Sequence, residues 1–264
     1  MRRCLHLVQQ PLVVMGAEKL KEMNMDRPKA VVIGATSGIG QALALYLAEQ
    51  GYQLGMTGRR TKLLEETLAR MDGEHFFRQM DVTDQEEAIG ILEELISEMN
   101  GIDLLVINSG IGFDNKRLMF PKEKLTIDTN VSGFVAMAGV GYRHFEETGK
   151  GQIVGISSVV AVRGNPAAAY CASKAFVSNY MQGMRHIISK RKLDIAVTDI
   201  RPGFVDTPMV RGQKGMFWVA TPEKAASQIY SAIKKKKTVA YITRRWRLMA
   251  WLLLLLPDSL VHKL

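Results

Sequence analysis

Residues 30–40 read AVVIGATSGIG, and residues 41–50, QALALYLAEQ, follow before Gly51. The run from Ala30 to Ile33 is short, apolar and rich in β-branched side chains, as in a strand covered on both faces. The alternating apolar positions of the second stretch fit a helix, which Gly51 ends. Between them lie Gly34, Gly38 and Gly40. Glycines let a backbone bend sharply and approach a pyrophosphate closely, and the following helix offers unpaired N–H groups and a favourable dipole. Gly34, Thr36, Ser37, Gly38, Ile39 and Gly40 are therefore candidate phosphate contacts. An ordinary strand–helix turn is the alternative, and the strand before and helix after weigh against it. The spacing is G-x-x-x-G-x-G, unlike the commoner G-x-G-x-x-G.

Outward from this unit the pattern repeats. Strands are expected at YQLGMT from Tyr52, HFFRQMDV from His75, LLVIN ending at Asn108, QIVGISS, DIAVTDI, and TVAYIT from Thr238 to Thr243. Helices are expected between them, including one capped by Thr83 or Asp84, a long one around Asn130, one from Tyr170 to about Lys190, and one from Pro222 to about Lys235. Continuous apolar strands alternating with helices specify an α/β protein, a single doubly wound Rossmann domain with a seven-stranded parallel sheet flanked by helices. The expected divisions are an N-terminal extension at 1–28, the domain at 29–243 and a basic, apolar tail with a C-terminal helix at 244–264.

The chain has 264 residues, 47% of them hydrophobic and 23% charged, which excludes wholesale disorder and collagen-like or disulfide-stapled architectures. Cys4 and Cys171 are too far apart to suggest a metal cluster, so no metal is expected, and sparse cysteine fits a reduced, cytoplasmic setting. His6, Gln9, Gln10 and Pro11 interrupt the apolar N-terminal run, which argues against a secretory signal.

Two further motifs carry chemistry. Tyr170-Cys171-Ala172-Ser173-Lys174 places a phenol and an ammonium one helical turn apart, and the nearby cation favours the phenolate. Gly58-Arg59-Arg60 follows the second strand. An enzyme using NAD would place Asp or Glu there for the ribose diol, whereas two guanidiniums suit a 2′-phosphate. NADP(H) is therefore expected in preference to NAD(H), a solvated helix start being the alternative.

With this glycine spacing and its Tyr-x-x-x-Lys, the chain resembles the short-chain dehydrogenase/reductase family over roughly Lys29 to Thr243. Ile33 stands where the family's TGxxxGIG signature has threonine, and Ile107 where its NNAG has the first asparagine. The resemblance implies hydride transfer between a nicotinamide cofactor and a carbonyl or alcohol substrate. Tyr170 would be the proton donor or acceptor, and Lys174 would lower its pKa and hold the nicotinamide ribose. Asn130 would support a water relay, its alternative being a mid-helix residue that faces solvent or bends the helix. A serine ending the fifth strand would orient the carbonyl. Spacing from the tyrosine selects Ser157, while the SSVV pattern selects Ser158, the preferred choice. Asp81 and Val82 would contact adenine, though Asp81 also suits a simple turn. Asn108 and Gly110 would shape the backbone beside the cofactor, and Thr207, alternatively a helix N-cap, would contact the nicotinamide amide. Residues 209–220, with Met209, Phe217 and Trp218, are expected to form a lid with an apolar mouth for a lipophilic substrate, unless they simply pack. A homo-oligomer is also implied. The rival from another class is a non-catalytic NADP-binding sensor of the same fold.

The net charge is +9, and Lys234 to Lys237 with Arg244, Arg245 and Arg247 supply seven of those charges, with no acid between Lys234 and Arg247. This placement is a poor footprint for nucleic acid, for which no motif appears. It suits an anionic surface beside LMAWLLLLL, residues 248–256, a run too short to span a bilayer. Peripheral membrane contact through the tail, or packing of the tail on protein, is the expectation.

Overall fold

The structure is a computed structural model, and it describes residues 27–210, 215–257 and Ser259. The expected extension thus lies outside the described residues except for Arg27 and Pro28, as do residues 211–214 of the lid. Seven strands form one parallel sheet in the order β3-β2-β1-β4-β5-β6-β7. They are β1 (Lys29–Ile33), β2 (Gln53–Gly58), β3 (Phe76–Gln79), β4 (Leu104–Ile107), β5 (Lys150–Ile156), β6 (Asp194–Pro202) and β7 (Val239–Ile242). The helices are α1 (Gly38–Glu49), α2 (Thr61–Leu68), α3 (Gln85–Glu98), α4 (Phe120–Ile127), α5 (Gly133–Thr148), α6 (Ala168–Arg191), α7 (Pro222–Lys234) and α8 (Trp246–Leu255). This is the doubly wound Rossmann architecture, in one domain.

Alternate residues of each strand enter opposite cores, because successive side chains of an extended chain point to opposite faces. Val31, Ile33, Leu105 and Ile107 pack with Leu92, Leu95, Phe134, Met137, Val177 and Met181 of α3, α5 and α6. Ala30, Val32, Leu104 and Val106 pack with Leu43 and Leu47 of α1, Leu64 of α2 and Ile229 of α7. Local chemistry sets the helix starts. Asp84 caps α3 by accepting from the Glu87 amide at 3.2 Å, and Thr221 caps α7 by accepting from Lys224 at 3.2 Å.

The helix expected around Asn130 is divided. α4 gives way to a π turn at Asp128–Ser132, which holds Asn130, and α5 follows. Single π turns inside helices recur at functional sites.

The basic residues are also divided. Lys234 to Lys237 precede β7 and lie at the amino end of the sheet, whereas Arg244, Arg245 and Arg247 follow it at the carboxyl end. Only the arginines stand beside the apolar tail, because a parallel strand separates the two groups.

α8 folds back onto the domain. Trp246 and Ala250 are buried against Val159, with Val160, Val162, Phe204 and Tyr241 around them. The Trp246 ring lies so close to Gly203 that a Cβ there would be 2.0 Å from its Cε2. No helix among the described residues is long and apolar enough to cross a membrane.

Candidate active site

β1 and β4 are neighbours in the sheet, and the chain winds away from them in opposite directions. A crevice opens at the carboxyl ends of strands at such a switch point. Here it is a cleft of about 520 Å³.

The glycine loop forms its floor. Gly34 has φ +82°, and its amide and that of Ala35 donate to the Thr57 carbonyl at 2.9 and 3.0 Å. Asn108 follows β4 and donates from Nδ2 to the Gly34 carbonyl at 2.8 Å, binding the two strand ends together. A Cβ on Gly40 would lie 2.2 Å from that carbonyl oxygen, so only glycine lets α1 approach the loop this closely. Ser37 is the N-cap of α1 but makes no side-chain capping bond, so the first-turn amides of α1 are not capped.

Gly34, Thr36, Ser37, Gly38, Ile39, Arg59, Arg60, Asp81, Val82, Asn108, Gly110, Ser158, Tyr170, Lys174 and Thr207 all line this one cleft. Gly40 and Asn130 stand behind its wall. The residues present fit an extended anionic dinucleotide on three counts. The glycine floor admits close approach, the α1 amides are uncapped, and the lining residues Thr57, Ser109 and Thr129 carry buried hydroxyls without hydrogen-bond partners among the described residues.

Arg60 reaches back over the loop, donating to Thr36 Oγ1 at 2.6 Å and Ser37 Oγ at 2.8 Å. Arg59 is half exposed and lies 3.8 Å from the Asp81 carboxylate. The other oxygen of Asp81 accepts from the Thr83 amide and hydroxyl at 3.0 and 2.9 Å, so Asp81 does organise a turn while facing the cleft. No carboxylate lies on Gly58, Arg59 or Arg60 at the end of β2.

At the far end, Tyr170 and Lys174 lie on α6 and Ser158 follows β5. The Ser158 hydroxyl stands beside the Tyr170 phenol, close enough to act on its pKa. Ser157 points away, its hydroxyl donating to the Asp199 carboxylate. Extended residues alternate in direction, so only one of the two serines faces the cleft's phenol. Burial pushes the Tyr170 phenol above its ordinary value, and the Ser158 hydrogen bond pulls it back. Lys174 is buried, with Nζ donating to the Ile156 carbonyl at 2.8 Å and 5.8 Å from the Tyr170 ring centroid. Burial lowers its pKa to about 8, with the Asp199 charge working in the opposite direction.

Asn130 accepts from the Ile111 amide at 2.8 Å and donates to the Ile111 carbonyl at 2.8 Å and Ser173 Oγ at 2.9 Å. It therefore faces neither solvent nor helix backbone. It joins the loop after β4 to the Tyr170–Lys174 turn.

The sequence reading missed several members. Thr57, Ser109 and Thr129 are lining hydroxyls whose only signal was their place beside the motifs. Asp199 is fully buried. Its signal was a carboxylate inside the apolar strand DIAVTDI. Trp246, within the expected tail, packs on the domain and braces the Gly203 loop.

A short chain dehydrogenase family model matches residues 28–216. An uncharacterized oxidoreductase of Myxococcus xanthus is 37% identical over 188 residues, covering 68% of this chain and 73% of that protein. One of Mycobacterium tuberculosis is 30% identical over 248 residues, covering 90% and 97%. The alcohol dehydrogenase of the archaeon Thermococcus sibiricus, solved with 5-hydroxy-NADP, superposes with a TM-score of 0.71 at 24% identity, over 81% of this chain and 95% of that one. At that identity the likeness speaks for the fold.

Proposed function

The chain belongs to the short chain dehydrogenase family, and on that premise we propose that it is an NADP(H)-dependent reductase or dehydrogenase of carbonyl or alcohol substrates, with Tyr170 as the proton donor and acceptor. The convergence of Tyr170, Ser158 and Lys174 at one end of a glycine-floored cleft carries the reading.

The α1 amides with Thr36 and Ser37 would hold the pyrophosphate, and Arg59 and Arg60 a 2′-phosphate. Asp81 and Val82 would flank the adenine, while Asn108, Gly110, Lys174 and Thr207 would line the nicotinamide half. When bound, the cofactor supplies or takes up the hydride. The chain's own groups manage the proton. A phenol held above its ordinary pKa keeps its proton at neutral pH and can give it to a substrate oxygen. Ser158, beside that phenol, would fix where the oxygen sits. Lys174 places a positive charge near the phenolate that results, and so eases the return of the proton in the oxidative direction. Asn130 holds the Ile111 loop and Ser173 in register behind them.

A lipophilic substrate suits the half-exposed Met209, Phe217, Trp218 and Val219 about the mouth. A homo-oligomer and a cytoplasmic setting belong to the same reading, by family resemblance and by sparse cysteine. The non-catalytic sensor is not favoured, since the tyrosine and lysine are both in place.

Oxidation of NADPH and of NADH, followed over a panel of carbonyl compounds with Tyr170→Phe as control, tests the proposal. Turnover with NADPH that the variant loses is the expected result. NADPH binding without any turnover would return the sensor.

A further inference from the structure

α8 is apolar on two faces, and only one of them is used by the domain. Trp246 and Ala250 point inward, with Met249 and Leu253 half-buried beside them. Leu248, Trp251, Leu252 and Leu255 point outward at i, i+3, i+4 and i+7, and are 68%, 55%, 48% and 83% exposed. Four large side chains on one face of a single helix are a contiguous patch, and patches of this kind mark a partner.

The lid sets further exposed apolar side chains beside the start of α8. Phe217 and Trp218 lie 5.1 and 5.7 Å from the Trp246 ring, and both are about two-fifths exposed, as are Val219 and Met209. Met209 also lines the cleft.

The rim of the patch is cationic. Arg245 stacks over Trp218 at 5.0 Å and Arg247 over Trp251 at 5.2 Å, with Arg244 exposed beside them. Positive charge at a helix start opposes the helix dipole, so these arginines do not serve α8 itself. The sequence from Arg244 to Pro257 contains no acid.

We propose that the outer face of α8, with the lid aromatics beside it, docks on an anionic lipid surface and holds the mouth of the cleft against it. A helix of 10 residues is too short to span the hydrocarbon and lies in the plane of the interface. Leu248, Trp251, Leu252 and Leu255 enter the acyl boundary, and the arginines meet lipid phosphates. A second copy of the chain is the less suitable occupant. A two-fold contact through this patch brings arginine clusters together with no carboxylate among the described residues of α8 to pair with them. The docking surface stands apart from the chemistry at Tyr170 and goes beyond that reading.

The test is co-sedimentation of the full chain with phosphatidylcholine vesicles, made with and without phosphatidylglycerol. Binding is expected to require phosphatidylglycerol and to fall as salt is raised. The double variant Leu252→Ser/Leu255→Ser should lose at least about tenfold in bound fraction, and Arg244→Gln/Arg247→Gln should lose the preference for phosphatidylglycerol. The melting temperature and NADPH affinity of the Leu252→Ser/Leu255→Ser variant should be unchanged, because both side chains face away from the domain. No binding by the wild type, equal binding by the Leu252→Ser/Leu255→Ser variant, or equal binding to both vesicles would overturn the proposal. So would a wild-type dimer in light scattering that this variant converts to monomer without any vesicle binding.

Discussion

The carboxylate of Asp199 on β6 accepts a hydrogen bond of 2.9 Å from Ser178, one helical turn beyond Lys174 on α6. Its other oxygen accepts from Ser157, the neighbour of Ser158, while Arg201 Nε donates at 2.8 Å to the same oxygen as Ser178. One buried charge thus joins the strand end that carries Ser158 to the helix that carries Tyr170 and Lys174.

Asp199→Asn should therefore act on both stability and chemistry. It leaves Arg201 without its carboxylate, and breaking a buried pair costs about 3 kcal/mol, to be read as a shifted denaturant midpoint. It also removes the charge that raises the Lys174 pKa, with Arg201 and Arg185 left nearby as uncompensated positive charges. Lys174 should then lose its proton below pH 8, and the alkaline limb of the pH–rate profile should move to lower pH. An unchanged profile would restrict Asp199 to folding.

Lys174 makes a second pH prediction. Its folded pKa is about 8 against an ordinary 10.5. Below pH 8 both states hold the proton, and the burial cost is present in full. Between those values the unfolded chain binds more protons than the folded one, so stability rises with pH. The whole contribution is on the order of 3 kcal/mol. Lys174→Met removes the group, so its stability difference from the wild type should change across that interval and be flat below it. Denaturant titrations on either side of pH 8 measure this.

Tyr170→Phe keeps the ring and removes the proton. The expected loss is about 10²-fold or more in kcat, with NADPH affinity retained in a fluorescence titration. Full activity in the variant would end the catalytic assignment.

The two arginines should separate. The Arg59 side chain pairs with Asp81 and lines the cleft, so Arg59→Ala should weaken NADPH by about tenfold and leave NADH unchanged. Arg60 also braces Thr36 and Ser37, so Arg60→Ala should weaken both cofactors. Calorimetric titration of each variant with each cofactor distinguishes them.

Gly203→Ala should unseat Trp246, because the new methyl would fall 2.0 Å from the indole. Overpacking of this kind costs about 1–3 kcal/mol. Trp246 fluorescence should shift red as α8 loosens, with the sheet's circular dichroism unaltered.

Whatever depends on local periodicity is legible in the order of the amino acids. The runs Ala30–Ile33 and Leu104–Ile107, with helices between strands, are enough for a doubly wound sheet. The 3.6-residue turn is enough to put Tyr170 and Lys174 together, and the loop from Gly34 to Gly40 shows the cofactor end. Distant contacts decided the rest. Ser157 and Ser158 are adjacent and chemically identical, and only the packing of β5 against β6 and α6 turns one to Asp199 and the other to Tyr170. Asn130 has its place through Ile111 and Ser173, 19 and 43 residues away. The seven basic residues from Lys234 to Arg247 look like one cluster in the chain. β7 separates them, because an extended strand carries its two ends to opposite edges of the sheet. Which leucines of α8 are inside is likewise set by where Trp246 finds Gly203, a meeting that no periodicity encodes.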